Sequence, residues 1–274
     1  MFKNRRLFSI ILILFIISTS CSGKAGKKSV IVPSKEIEVM VDNRVDILKR
    51  ITMDLPENIK TSILSDSDGF IAKIAELLSF PKDIFLQADK QNFLGADYSP
   101  GDIVMLTDYP EMTLSRNTHS LREILIPDLL LMIEDAGKEG LTLVISSTYR
   151  TYDYQDKLFN WNVEQNGLET AMRESAKPGT SQHQLGTAID FGTITDEYAF
   201  TPAGKWLLEN GWKYGFSLSY PDGYEELTGY RYECWHFRYI GLKAAELQKD
   251  YFGNIQFYLI SFLNNYQEEL ESLL

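Results

Sequence analysis

Cysteine and histidine are both scarce in this chain of 274 residues. Its two cysteines, Cys21 and Cys234, cannot build the disulfide framework that staples small secreted folds. Its three histidines, His119, His183 and His236, confine any imidazole chemistry to those positions. Positive charge is also short, with 27 Lys and Arg against 38 Asp and Glu and a formal net charge of -11. No long basic run follows the first thirty residues, so the electrostatic footprint of a phosphate-binding protein is missing and nucleic acid is not an expected partner. The helix-borne H-E-x-x-H pattern is absent, as are internal repeats and low-complexity tracts. What the chain does have is apolar mass: 44% hydrophobic and 12% aromatic residues exclude wholesale disorder and suffice for a packed core. The length admits one large domain or two small ones.

Lys3, Arg5 and Arg6 precede an apolar run from Leu7 to Ile17, and the small residues Ser18, Thr19 and Ser20 lead to Cys21. The run is short for a membrane-spanning helix and has the proportions of an export signal, with an uncleaved anchor as the alternative. Small residues directly before a cysteine resemble a bacterial lipoprotein cleavage site, although Ser18 stands where that pattern usually carries Leu. The expectation is a signal peptide over 1–20, an acylated Cys21 and a flexible Gly-, Lys- and Ser-rich tether over 21–33. Several acyl chains on one cysteine would hold the protein at a membrane of the cell envelope, on its periplasmic or outer surface. An acylated Cys21 leaves Cys234 without a disulfide partner.

Residues 34–88 read as a helical N-terminal extension. Ile71, Ile74, Leu77 and Leu78 recur at helical spacing, Pro81 ends the run, and no chemistry-bearing residue is found; a spacer or packing appendage is the expected role. From about Asp89 turns and short apolar runs take over. Leu129 to Ala136 form an apolar helical face closed by Gly137 and Gly140. Leu141 to Ile145, Thr187 to Gly192, Phe216 to Ser219 and Cys234 to Tyr239 are strand candidates. Thr151 is a plausible cap for a helix over 153–165, and Thr201-Pro202 opens another. The stretch from Gln256 to Leu273 is amphipathic and helical in pattern. The natural reading is α+β, a small and mainly antiparallel sheet flanked by helices.

Two histidines sit in dense local patterns, Ser181-Gln182-His183-Gln184-Leu185-Gly186-Thr187-Ala188-Ile189-Asp190 and Tyr232-Glu233-Cys234-Trp235-His236-Phe237-Arg238-Tyr239. Imidazole and carboxylate suit zinc, and a catalytic site keeps three protein ligands and an open position. His183, Asp190 and His236 supply such a set and leave Glu233 over as a base. The same donors suit iron or manganese, and a lone histidine is more often a satisfied core residue. In a flat strand, residues seven or three apart face opposite sides. The chain must therefore turn between His183 and Asp190, where Gly186 permits it, and again between Glu233 and His236. His119 falls in a polar stretch and is read as a surface residue.

The pattern S-x-H-x-x-G-x-A-x-D followed by E-x-W-H resembles the VanY-type D-alanyl-D-alanine carboxypeptidases, relatives of the VanX dipeptidases and of the Hedgehog signalling domain. Ser147-Thr148-Tyr149-Arg150 with Gln155, Ala176-Lys177-Pro178-Gly179-Thr180, and Trp206 to Phe216 are similar to further segments of that family. The likeness covers roughly residues 89–245 and leaves 246–274 as a C-terminal helical segment. It implies the Hedgehog/DD-peptidase fold and one zinc ion per chain, held by His183, Asp190 and His236. It implies Glu233 as general base and later proton donor. Arg150 would grip the terminal carboxylate of a peptidoglycan stem peptide in a two-pronged contact, with Ser181 and Gln155 orienting it. Tyr152, Trp161, Trp235 and Tyr239 are read as pocket walls. Cys234 replaces the proline that the family usually has between Glu and Trp, and is read as a small buried filler. The implied activity is removal of the terminal D-Ala. An L,D-carboxypeptidase, a stem-peptide endopeptidase and a non-catalytic metal-containing wall-binding module remain as alternatives.

Overall fold

The computed structural model describes residues 35–274, with side chains from residue 43 onward. The expected signal peptide, the tether and Cys21 lie outside the described residues. Helices α1 (Lys35–Ile51), α2 (Glu57–Ser65) and α3 (Ser67–Leu77) come first, and the Asp66 carboxylate caps α3 by accepting from the Gly69 amide. Strands β1 (Ile103–Met105), β2 (Thr113–Leu114) and β3 (Ser120–Arg122) lead to α4 (Ile126–Lys138) and β4 (Val144–Ser147). Then follow α5 (Tyr152–Asn166), α6 (Leu168–Glu174), β5 (Ala188–Phe191), α7 (Pro202–Asn210), β6 (Phe216–Leu218), α8 (Glu225–Thr228) and β7 (His236–Tyr239). Three helices close the chain: α9 (Leu242–Tyr251), α10 (Gln256–Asn265) and α11 (Gln267–Ser272).

The five-stranded sheet runs β2-β4-β5-β7-β6, parallel only at β2–β4, and β1 pairs with β3 in a separate antiparallel ribbon. The α+β expectation of a small, mainly antiparallel sheet with helices therefore holds. Thr151 and Thr201 cap α5 and α7 by accepting from the amides of Tyr154 and Gly204, as their positions suggest. Leu141 does not start a strand: its amide bonds Ala136 O and finishes α4, so β4 begins at Val144. The C-terminal helix breaks at Tyr266, whose backbone leaves the helical region at φ -125°.

Side chains alternate across the sheet as the pleat requires. Ile189 and Phe191 of β5, with Phe237 and Tyr239 of β7, face a core shared with α4 and α7. Ala188, Asp190, His236 and Arg238 take the opposite phase of the same strands. A second core joins α2 and α3 to α9 and α10, with Phe70 fully buried against Tyr251, Phe252 and Phe262. Burial of one such phenyl ring is worth about 1.5–3 kcal/mol. The two ends of the described chain thus bury one another. Arg238 ties this layer to the sheet: buried on β7, it donates through Nη2 to the carbonyls of Ile84 and Leu86.

Candidate active site

Backbone register assembles the site. Ser147 of β4 pairs with Asp190 of β5, and Asp190 pairs with His236 of β7, so three strands place these residues abreast. The register shifts between Ile145 and Ser147 in the β4–β5 pair. His183 arrives from a 3₁₀ turn over Gln182–Leu185, and its own amide donates to the Ser181 hydroxyl that caps the turn. Gly186 ends that turn in the left-handed region at φ 69°, and a Cβ there would lie 2.7 Å from Ile103 Cδ1. This reversal satisfies the geometric demand made by the seven-residue spacing. Between Glu233 and His236 the required turn is closed by the His236 amide bonding Glu233 O at 3.1 Å.

Asp190 is the hub. Its Oδ1 lies 2.9 Å from His236 Nδ1, and its Oδ2 lies 3.3 Å from His183 Nε2 and 3.1 Å from Arg150 Nη2. The donor atoms of His183, Asp190 and His236 all fall within 4.8 Å of one another, and all three residues are buried. Glu233 Oε2 stands 3.7 Å from His236 Nδ1. Burial works against charge on Asp190, yet the two imidazoles hold its carboxyl well below the usual carboxylate range. Burial and the Arg150 charge push His183 down to about 4. Burial, reinforced by the negative charge of Asp190, raises Glu233 to about 8.

These residues fit a divalent cation on their own chemistry. His183 Nδ1 lies 2.8 Å from the Thr148 carbonyl, which can only accept, so Nδ1 carries the hydrogen. Neutral His183 then turns the bare lone pair of Nε2 toward a carboxylate oxygen. A cation between them resolves that opposition, and imidazole with carboxylate suits zinc.

Arg150 borders the same open cleft of about 360 Å³, with Ser181, Trp161 and Trp235 on its walls. Its Nε and Nη2 reach the Ser147 hydroxyl at 3.2 and 2.9 Å, Nη2 also reaches Asp190, and Nη1 donates to Gln155 Oε1 at 3.1 Å. Among the described residues one Nη1 hydrogen has no acceptor. The arrangement therefore offers an incoming carboxylate one hydrogen bond plus the charge, rather than the two-pronged contact read from the sequence. Gln155 is fully buried behind Arg150 and donates to Ala176 O, so it holds the guanidinium and does not line the cleft.

Tyr239 is a core residue with its hydroxyl on Asp128, and Tyr152 packs beside Gly179; neither lines the cleft, contrary to the sequence reading. Tyr220 and Tyr230 do, and Tyr220 lies against His236 with ring centroids 4.8 Å apart. No local pattern marks either residue. His119 is buried, not exposed: its ring bonds Thr148 Oγ1 at 3.2 Å and Ser115 Oγ at 3.0 Å, on the segment that also holds His183. Cys234 is buried, with Sγ 3.6 Å from Thr195 O.

The VanY D-alanyl-D-alanine carboxypeptidase family model matches residues 118–242. YodJ of Bacillus subtilis, which carries a provisional carboxypeptidase name, is 34% identical over 206 residues, 71% of this chain and 74% of YodJ. Among solved structures, the LD-carboxypeptidase LdcB is 33% identical with a TM-score of 0.57, over 65% of this chain and 84% of LdcB. The vancomycin-resistance D,D-pentapeptidase VanY, solved as a Glu-to-Ala variant with Zn(II), is 26% identical with a TM-score of 0.54, over 66% of this chain and 99% of that one. With the buried His, Asp and His set in place, these likenesses support zinc as the metal. The chain belongs to the VanY family of D-alanyl-D-alanine carboxypeptidases and is a metallo-carboxypeptidase.

Proposed function

We propose that this protein removes the terminal D-Ala from peptidoglycan stem peptides, using one zinc ion per chain held by His183, Asp190 and His236. The observation that carries the reading is Glu233, a buried carboxyl of raised pKa, set 3.7 Å from the third donor of a complete ligand set. A metal kept only for structure has no use for such a base. When bound, the ion supplies Lewis acidity and lowers the pKa of a coordinated water toward neutrality. Glu233 accepts the proton of the attacking water and delivers it to the departing amine. Its raised pKa in the metal-free site suits the first half of that task, because a strongly acidic carboxyl would hold the proton too weakly to accept it. Arg150, held in place by Ser147 and Gln155, presents positive charge to the free carboxylate of the last residue, which favours exopeptidase over endopeptidase action. Ser181 on the cleft wall orients the peptide, and the aromatic walls limit water around it.

A second reading, cleavage of tetrapeptide stems at an L,D bond, is favoured by one observation: identity to LdcB is 33%, against 26% to the D,D-pentapeptidase. A misplaced methyl in a pocket is worth only about 1–3 kcal/mol, so one cleft can serve both bonds unequally. Incubation with pentapeptide and tetrapeptide stems in separate tubes, followed by mass spectrometry, separates the readings. Rapid loss of one alanine from the pentapeptide supports the D,D reading. Tripeptide formed from tetrapeptide with the pentapeptide untouched replaces it with the L,D one.

We further propose that Cys21 is acylated and that the protein works in the cell envelope. The basic, apolar and small residues preceding Cys21 support this. Among the described residues no helix is long and apolar enough to cross a membrane, so this reading puts the attachment at the N-terminus. Cys21→Ala then shifts the protein from the membrane to the soluble fraction, and continued sedimentation with membranes after signal cleavage counts against it.

A further inference from the structure

His236 has two ring nitrogens, and only one can carry the hydrogen in the neutral ring. Its Nδ1 faces Asp190, while its Nε2 lies 3.2 Å from Gln182 Oε1. An amide side chain can be turned either way, so this contact alone leaves the tautomer open. The surrounding hydrogen bonds close it. Gln256, the first residue of α10, places its Nε2 3.1 Å from the backbone carbonyl of Ser217. A carbonyl only accepts, so the amide nitrogen of Gln256 must face it and Gln256 Oε1 must face the other way. That oxygen lies 3.3 Å from Gln182 Nε2, which must then be the donor. Gln182 is left with Oε1 toward His236, and the Ser219 hydroxyl, 2.7 Å from that oxygen and 3.3 Å from Gln256 Oε1, is compatible with this arrangement. His236 meets an acceptor at Nε2 and must donate from it. Gln182, Ser219, Gln256 and His236 are all buried, where a mispaired polar atom is costly.

We propose that Gln256, acting through Gln182, fixes His236 in the tautomer with its hydrogen on Nε2 and so keeps a bare Nδ1 directed at the metal position. Both glutamines are positioning residues of the metal site, and the inference rests on that site being as proposed above. It gives the C-terminal helices a part in the chemistry. Helix α10 is anchored in the second core through Leu259, Ile260 and Phe262, and it delivers Gln256 to a ligand twenty positions earlier in the chain. The Ser217 carbonyl on β6 is thus the reference point from which two amides set a third side chain.

The test measures zinc affinity of the full chain by competition with a chelator, together with the ring protonation of His236 by nitrogen-15 NMR. Methionine is close to glutamine in shape and makes no such bonds. Gln182→Met weakens zinc binding about 10–100-fold, the usual effect of losing an outer partner of a metal-bound histidine. Gln256→Met weakens it in the same direction, and the double variant is no weaker than Gln182→Met, because the two act in series. Gln182→Glu supplies a carboxylate that accepts from His236 in either orientation, and in that background Gln256→Met leaves the affinity unchanged. Wild-type affinity in Gln256→Met, or additive losses in the double variant, would overturn the inference alone. So would a wild-type spectrum with the His236 hydrogen on Nδ1. A wild-type chain that takes up no zinc would overturn the metal site, and the inference with it.

Discussion

Asp190 and His236 are cross-strand partners on β5 and β7, and their side chains meet at 2.9 Å on the face opposite the sheet's main core. Every other group of the site is arranged around this pair, and His183 joins them with its lone pair facing Asp190.

Removal of the metal is expected to abolish activity and lower thermal stability together. A ligand at 100 times its Kd adds about 2.7 kcal/mol to the native state, and the buried carboxylate loses its strongest partner on chelation. Calorimetry of the full chain before and after chelation, with zinc then restored, reads both effects. Full activity in a preparation that metal analysis shows to be empty contradicts this.

The metal-free protein should lose stability as pH rises toward 8. Burial and Asp190 raise Glu233 to about 8 in the folded state, against an ordinary 4.5 in the unfolded chain. Between those values the native state holds a proton that the unfolded state has lost, so stability is full below about 4.5 and declines as pH rises through 8. His183, depressed to about 4, gives the opposite slope below its unfolded value of 6.5. The Glu233 effect is therefore cleanest between 6.5 and 8, where stability falls on the order of 1 kcal/mol per pH unit. Denaturant titrations over that range check it, and Glu233→Gln flattens the slope. An unchanged slope in the variant counts against the buried, protonated carboxyl.

Arg150 should be what makes the enzyme demand a free carboxylate. A hydrogen bond to a charged group is worth about 1.5–3 kcal/mol, so amidating the substrate's C-terminus should lower kcat/KM by about 10–100-fold in the wild type. In Arg150→Met the free acid and the amide should be cut at similar, slow rates. The comparison matters because Arg150 also touches Asp190, so a rate loss in the variant by itself proves nothing about the substrate. Equal cleavage of acid and amide by the wild type removes Arg150 from its proposed role.

Much of this site was legible in the sequence. His183, Asp190, His236 and Glu233 lie in two short segments whose spacing already demanded the reversals that Gly186 and the Glu233–His236 turn provide. Caps such as Thr151 and Thr201 are local chemistry and read directly. What escaped reading depends on contacts between distant segments. His119 looks polar and exposed in its own neighbourhood, yet Thr148 buries it beside the site. Gln256 lies 74 positions from Gln182, and no periodicity links an amide on a C-terminal helix to a 3₁₀ turn. Tyr239 is turned into the core by its place on β7, whereas Tyr220 lies just past the end of β6 and reaches the cleft beside His236, a difference set by tertiary placement and not by residue type.

The most direct test of the account is alanine release from a pentapeptide stem by zinc-loaded wild-type protein and by zinc-loaded Glu233→Gln, with metal content measured in both. General-base loss costs about 10²–10⁴-fold, so the wild type should release one D-Ala per stem while the variant keeps its zinc and is slower by at least the lower figure. Release at the wild-type rate by a zinc-loaded Glu233→Gln protein, or a wild type that leaves the pentapeptide intact, would contradict it.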